Sequence, residues 1–467
     1  IDTSTLRRMM RWLRPDRTTE EVNVAEEMCT WEACETAIQR GFKQGKGLGI
    51  DGFDGYLVRL ADRRMQRRYW RILQGIVRTK SYPAEWNEWL ALLAPKPGED
   101  AKDLERRRDL WLQCHSMKCV MRMTLPAYEA AAEACVGVAQ AGWVDGRDPA
   151  EHTLVARILM EQSMRERRTC CGGYLDLGCF FMSVCHAAQR EAERWCGVPV
   201  AVSEVVDALR EGLPATEGRK ALPPLKGRYE TEHGLTALVN ILKGLGQGDV
   251  NSPSRSKPLL QLLAGVVDKV GQGKKVTGTN ARVPVMFFAD DGRFCAEDVQ
   301  TLQRMFEAAW VTTKVAGLRM QVKKKKKTAW HATYWEAGGV EKDVTGWEMR
   351  MPDDKTVIPQ LVGDEKYTYL GTELPTGWAN GRAQEAARER VVARCRQALG
   401  MIGRVPMATE KQMATASSLA LSGIIGFYGR STVLTWEDCV KIEQARVAAL
   451  RARHVTTGTP RTAVYGV

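Results

Sequence analysis

The chain has 467 residues, 44% hydrophobic and 27% charged, enough for two or three packed subdomains and too apolar for a disordered protein. Lys and Arg outnumber Asp and Glu by 68 to 56, a net charge of +12. That excess suits a polyanionic partner, because each phosphate neutralised releases counterions. The longest uncharged stretch, Gln412 to Gly429, is too rich in polar and small residues to cross a bilayer, and no secretory leader is visible. A membrane or secreted protein is therefore not expected. The 13 cysteines form no Cys-x-x-Cys pair, and Cys29/Cys34 and Cys114/Cys119 lack the histidines that complete a zinc site. Reduced, buried thiols in an intracellular protein, nuclear or cytoplasmic, are the expectation. A chain running from Ile to Val is expected to be part of a longer product, with further domains elsewhere in a polyprotein.

In chain order, Thr18-Thr19-Glu20-Glu21 reads as a helix start ahead of Val22 to Ile38. Gly45 to Gly52 is a break, followed by one long mixed helix from Tyr56 to about Arg78. Leu90 to Ala94 reads as a short buried strand closed by Pro95-Lys96-Pro97-Gly98. Helices are expected to dominate 104–170, and Gly173 to Val184 reads as a strand running into a helix. Residues 212–232 are loop-rich, Val283 to Glu297 reads as strand–turn–strand, and Lys366 to Glu373 as one short strand. Gly381 to Arg404 and Trp436 to His454 read as basic amphipathic helices around a third, apolar one. Helix-rich ends around a strand-rich middle predict an α+β protein.

Two apolar runs carry carboxylates. Val283 to Phe288 leads into Ala289-Asp290-Asp291-Gly292, the pattern of a β-hairpin whose Asp-Gly turn exposes adjacent acids. Adjacent carboxylates behind an apolar strand repel each other unless a cation lies between them. Tyr174 to Val184 is nearly unbroken apolar sequence interrupted by Asp176, and a lone acid is costly to bury unless paired or metal-bound. Carboxylates converging from two strands suit nucleotidyl transfer, which needs two magnesium ions a few ångströms apart. Asp176, Asp290 and Asp291 are the candidate catalytic and metal-binding set.

These stretches resemble motifs A and C of reverse transcriptases of the non-LTR retrotransposon and group II intron branch, with Phe288-Ala289-Asp290-Asp291 for the usual Tyr-Ala-Asp-Asp. Further motifs follow in order. Gly244-Leu245-Gly246-Gln247-Gly248-Asp249-Val250-Asn251-Ser252-Pro253 resembles motif B, Ala316 to Gln321 with the lysines after it motif D, and Tyr369-Leu370-Gly371 the primer-gripping motif E. Leu93 to Asp100 and Arg106 to Leu110 resemble the fingers motif; Gly49 to Gly52, Gln140 to Arg147 and the Gly426 to Arg451 region resemble further segments of the branch. The resemblance spans roughly 40–455 and implies a right-hand polymerase. Residues 1–40 would be an N-terminal helical extension, 41–169 the fingers, 170–375 the palm with a fingers-side insertion around 200–245, and 376–467 the thumb and tail.

The resemblance implies an RNA-directed DNA polymerase using two Mg2+ ions, with Mn2+ able to substitute, an RNA template, a DNA or RNA primer and dNTPs. Lys96, Arg108, Gln247, Gly248 and Lys324 would contact the nucleotide, and Phe181, five residues beyond Asp176, would be the steric gate against ribose. Tyr369, Leu370 and Gly371 would hold primer and template. Arg388 and Arg396, on a helix whose other face is apolar, suit a duplex backbone. Two alternatives stay open. Ser254-Arg255-Ser256-Lys257, where the family continues with apolar residues, and Arg108 before Asp109-Leu110 suit a domesticated or inactive RNA-binding scaffold. An RNA-directed RNA polymerase fits less well, since Phe181 stands where that class places an acid.

Overall fold

Side-chain caps, more than apolar periodicity, decide where the first helices start and stop. α1 (Thr3–Leu13) begins where the Asp2 carboxylate accepts the Thr5 N–H. The single helix expected over Val22 to Ile38 is instead a π-helical turn at Val24–Met28 and α2 (Trp31–Gly41). Thr30 takes an extended backbone there, and its hydroxyl accepts the Ala33 N–H. Asp62 likewise divides the helix expected from Tyr56 into α3 (Gly55–Leu60) and α4 (Arg63–Thr79), capping Met65 at 2.8 Å. The computed structural model describes residues 2–451 apart from Glu20, 96–106, 218–219, Gln247, 323–326, 336–340, Thr345, Asp354, 363–364, 376–380, 406–408 and 430–431. Lys96, Gln247 and Lys324 thus lie outside the described residues.

Leu90 to Ala94 falls in β1 (Glu88–Pro95). β2 (Arg107–Leu112), in a stretch expected to be helical, pairs antiparallel with it, Leu90 opposite Leu112. α5 (His115–Cys135) and α6 (Pro149–Arg165) follow, then β3 (Cys170–Leu175), the single turn α7 (Phe180–Ser183), α8 (His186–Cys196) and α9 (Val200–Glu211). β4 (Lys226–Thr231) pairs parallel with β1 and antiparallel with the short β5 (Gly234–Leu235) and β6 (Val239–Asn240). After α10 (Ser252–Gly271) come the short pair β7 (Lys274–Lys275) and β8 (Arg282–Val283), then the hairpin of β9 (Val285–Phe288) and β10 (Asp291–Ala296), and α11 (Val299–Ala316). β11 (Ala329–Trp335) and β12 (Glu341–Asp343) pair, as do β13 (Met349–Arg350) and β14 (Val357–Ile358). Lys366 to Glu373, expected as one strand, is a hairpin of β15 (Lys366–Tyr369) and β16 (Thr372–Pro375). Leu370 and Gly371 turn it with φ of 49° and 78°. The three expected helices close the fold as α12 (Gly381–Ile402), α13 (Glu410–Tyr428) and α14 (Trp436–Arg451).

Contacts divide the chain into two units, each drawn from several stretches: 1–145, 175–271 and 304–327 in the first, 146–174, 272–303 and 328–467 in the second. In the first, the core joins Ile38, Phe42, Trp89, Trp111, Val120 and Leu209, so helices pack on the β2-β1-β4 sheet. In the second, Tyr174, Met286, Ala329, Leu361, Tyr369 and Leu374 form the core beside a sheet of order β12-β11-β3-β10-β9. Gly172 of β3 lies opposite His331 of β11, and a Cβ at Gly172 would come within 2.2 Å of His331 Nε2, so only glycine fits. α12, α13 and α14 share a smaller core around Val391, Val392, Cys395 and Ile442. Helices with largely antiparallel sheets make this an α+β protein.

Two further expectations meet the structure here. Cys135 and Cys196, read as reduced, are joined in a disulfide between the ends of α5 and α8, which approach to a Cα–Cα distance of 5.5 Å. No described helix is long and apolar enough to cross a membrane.

Candidate active site

In the second unit, Phe288 pairs with Asp291 and Phe287 with Gly292. The hairpin therefore turns at Ala289-Asp290, two residues earlier than the expected Asp-Gly turn. Gly292 is a strand residue, and Ala289 takes the left-handed backbone at φ 57°, an uncommon state for a residue with a Cβ. Asp290 stands at the tip and Asp291 opens β10, both half-buried. Beneath them Tyr369 is 2% exposed, its hydroxyl donating to Met286 O at 3.4 Å. Burial holds its phenol well above the ordinary range, and the negative charge of Asp291 adds to that. Tyr369 is thus a core residue, and the turn at Leu370-Gly371 is the surface part of the candidate primer-contacting segment.

β10 neighbours β3, and two side chains tie them within the second unit. The Arg293 guanidinium, 1% exposed, donates to the Tyr174 hydroxyl and lies 4.8 Å from the centre of that ring. Tyr174 stacks on Tyr367 at 3.7 Å. Arg293 is two residues beyond Asp291, and Tyr174 two residues before Asp176.

Asp176 is the first residue after β3 and belongs to the first unit. Its carbonyl accepts the Gln321 N–H at 2.9 Å, while Gly178 donates to Arg319 O at 2.8 Å, so the segment resembling motif D lies against it. Lys327 Nζ is 3.1 Å from Asp176 Oδ1. Among the described residues no group of three or more His, Cys, Asp or Glu is gathered closely enough to hold a metal ion. The chemistry of the candidate donors nevertheless suits magnesium: they are carboxylate oxygens, and that of Asp176 already meets a cation.

The segment resembling motif B is the most closely specified part of the first unit. Gly244 N–H donates to Val184 O and Leu245 N–H to Phe181 O, each at 2.7 Å. A Cβ at Gly244 would stand 3.1 Å from Phe181 O, at Gly246 2.5 Å from the Trp89 ring, and at Gly248 3.0 Å from Trp111 O. All three have positive φ, so backbone conformation and close approach both require glycine. Phe181, half-buried, meets the Trp143 ring edge-on at 5.4 Å. Arg108 is exposed on β2, three residues before Trp111.

What holds this loop is a residue that the sequence reading missed. Arg210 donates to Gly244 O at 3.3 Å, to Leu245 O at 3.0 Å and to Asp249 Oδ2 at 3.1 Å. Its side chain and that of Asp249 are both 2% exposed. Burial brings the Arg210 pKa down to about 10, still charged at neutral pH. His186 Nε2 lies 3.0 Å from Gly244 O. Burial lowers its pKa to about 4, so the ring is neutral, and an acceptor carbonyl requires the proton on Nε2. Arg255, in the stretch where the motif resemblance breaks off, is also accounted for: it forms a buried ion pair with Glu193, whose other oxygen accepts from Ser203 at 3.0 Å. The one available sequence signal for Arg210 was its place as the single cation of α9, in the helix's last turn.

The arginines of α12 are largely engaged. Arg388 Nε is 3.1 Å from Asp438, Arg390 pairs with Glu373 at 2.7 Å, and Arg394 covers Tyr428 at 4.9 Å, while Arg396 is exposed. No family model matches the chain, and no curated protein matches it.

Removing Arg210 leaves Asp249 buried and unpaired. Arg210→Met should therefore cost about 3–5 kcal/mol in urea unfolding, and adding Asp249→Leu should recover much of it. His186 supplies a pH signature. The folded pKa is about 4 against an ordinary 6.5, so its contribution is complete above pH 6.5 and is lost as pH falls towards 4. In His186→Gln, which keeps a donor, stability should fall less steeply over that window, by up to about 1.4 kcal/mol per pH unit.

Proposed function

We propose that this chain is an RNA-directed DNA polymerase of the reverse transcriptase kind, extending a DNA or RNA primer on an RNA template with dNTPs. The observation that carries the reading is the sheet order: β3, which leads directly into Asp176, neighbours β10, which Asp291 opens. The motif order along the sequence supports the same assignment. Asp176, Asp290 and Asp291 would hold magnesium, which supplies charge neutralisation at the transferring phosphate and a more acidic primer hydroxyl. The Gly244–Asp249 loop, set by Arg210, would offer its backbone to the incoming nucleotide, with Gln247 and Gly248 as the proposed contacts. Arg108 with Lys96, and Lys324, counter the triphosphate charge. Phe181 faces the sugar, where a ribose hydroxyl would lose water and find no hydrogen-bonding partner. Leu370-Gly371 and the exposed Arg396 serve the primer–template. The reading places the protein inside the cell, where RNA templates are found.

A second reading, an RNA-binding scaffold without catalysis, is favoured by one observation, the Lys327 ammonium already on Asp176. Primer extension separates the two. On a primed RNA template with magnesium, the chain should extend the primer. Asp290→Asn should lower the rate by orders of magnitude while leaving primer–template affinity near the unmodified level. Binding without extension by the unmodified chain would select the scaffold. For the gate, Phe181→Ala should raise rNTP relative to dNTP kcat/KM, at modest loss of dNTP use. An unchanged ratio in a folded variant would make Phe181 a packing residue.

A further inference from the structure

A cavity of about 390 Å³ opens in the first unit between α1, the segment after it, and the region from α8 to the start of α9. Its floor is apolar: Met10, Trp195 and Val198 are each 1–2% exposed, and Val200, 45% exposed, stands at the mouth. Its rim is cationic, with Arg7, Arg11, Arg17 and Arg194 against two carboxylates, Asp16 and Glu191. The rim is ordered from within. Arg7 holds Glu191 through both ends of its fork, at 2.6 and 2.7 Å, and Glu191 also lies 3.7 Å from Arg194. Arg11 is 3.4 Å from Asp16. Arg14, stacked 4.4 Å from the Trp195 ring, closes the floor from beneath. Arg17 Nη2 donates to Ala134 O at 2.6 Å. Among the described residues, Arg11 and Arg194 spend only part of their donors on Asp16 and Glu191, and the remaining N–H groups border an apolar surface.

An apolar floor with a surplus of guanidinium on its rim matches a ligand with a flat, weakly polar face and an attached phosphate. A volume near the lower end for ligand pockets admits one such unit and no more. We propose that this cavity binds one nucleoside phosphate, with the base on the Met10–Trp195–Val198 floor and the phosphate on Arg11, Arg17 and Arg194. The site would be separate from the candidate polymerase site. It rests on the proposed function only in expecting that the unit belongs to an RNA strand rather than to a free nucleotide.

The test uses the full chain, a labelled single-stranded 12-nucleotide RNA read by fluorescence anisotropy, and AMP read by calorimetry. Arg11→Gln with Arg194→Gln is compared with Arg64→Gln with Arg71→Gln, which removes the same charge from exposed positions on α4. The cavity pair should weaken RNA binding about tenfold and lower the salt slope by about 1.4, two single-strand contacts at about 0.7 each. The α4 pair should change affinity by no more than about twofold, as expected where no phosphate is contacted. Val200→Glu, a surface change that spares the arginines, should act like the cavity pair. AMP binding that the cavity pair abolishes would identify a free nucleotide as the source, and RNA binding without AMP binding would identify a strand. Equal weakening by the two arginine pairs overturns the proposal, as does unaltered binding in Val200→Glu. An inactive chain with cavity-dependent RNA binding would defeat the polymerase reading and leave this one standing. An active chain whose cavity pair binds like the α4 pair would do the reverse.

Discussion

Arg210 enters the first unit from the last turn of α9, and its guanidinium meets two backbone carbonyls and the Asp249 carboxylate with almost no access to water. Taking a charged pair out of water costs several kcal/mol per ion, which the pair's attraction offsets only when the remaining donors and acceptors are also used. Here they are, because the carbonyls of Gly244 and Leu245 accept from side chains: Arg210 and His186 at Gly244, Arg210 and Ser252 at Leu245. A second cation, Arg255, is close enough to lower the Arg210 pKa further, so each arginine needs its own acid. Asp249 serves one and Glu193 the other. The charges are specific to this loop conformation, since a loop displaced by a few ångströms would strand one of them.

From that fixed point the geometry propagates through backbone alone. Gly244 and Leu245 donate to Val184 and Phe181, which fixes the short turn carrying Phe181. Gly246 and Gly248 let the same loop run against Trp89 and Trp111 of the neighbouring sheet. The loop thereby joins the strand pair bearing Arg108 to the turn bearing Phe181. The order of residues along Gly244–Asp249 reflects contacts on two sides: glycines where backbone must approach, and Asp249 where a buried cation must be met.

Patterns of apolar residues made the strands legible, and local hydrogen bonding explains most of what they missed. The β9–β10 hairpin was readable from Val285 to Phe288, but the Asp-Gly pair drew the turn two residues too far. The glycine is spent in the strand, and Ala289 takes the left-handed position. Lys366 to Glu373 looks like one strand because Leu370 is apolar, yet its backbone turns there. Thr30 and Asp62 sit within helical periodicity and end it by capping. β2 was missed because its basic start hides a two-residue alternation that ends at Trp111. The ion pairs of Arg210 and Arg255 join residues 39 and 62 positions apart, a relation that no local pattern encodes.

The three candidate carboxylates sit in different electrostatic settings, and the difference bears on the Lys327 contact. Asp291 lies beside a buried phenol and Asp290 at a turn, and the Lys327 ammonium stands 3.1 Å from Asp176. Lys327 is 53% exposed at its side chain and Asp176 15%. An ion pair with one partner that open to water contributes about 0–1 kcal/mol, because solvent competes for the ammonium and its flexible stem loses entropy. A divalent cation shared among carboxylates gains far more from the same oxygens, since both its charge and its number of ligands are larger. The contact is therefore weak enough to yield to a metal while still meeting the charge of Asp176 without one. The buried pairs behind the Gly244–Asp249 loop have no such freedom. Rigidity is thus concentrated where the loop is held, and exchangeable charge where chemistry is proposed.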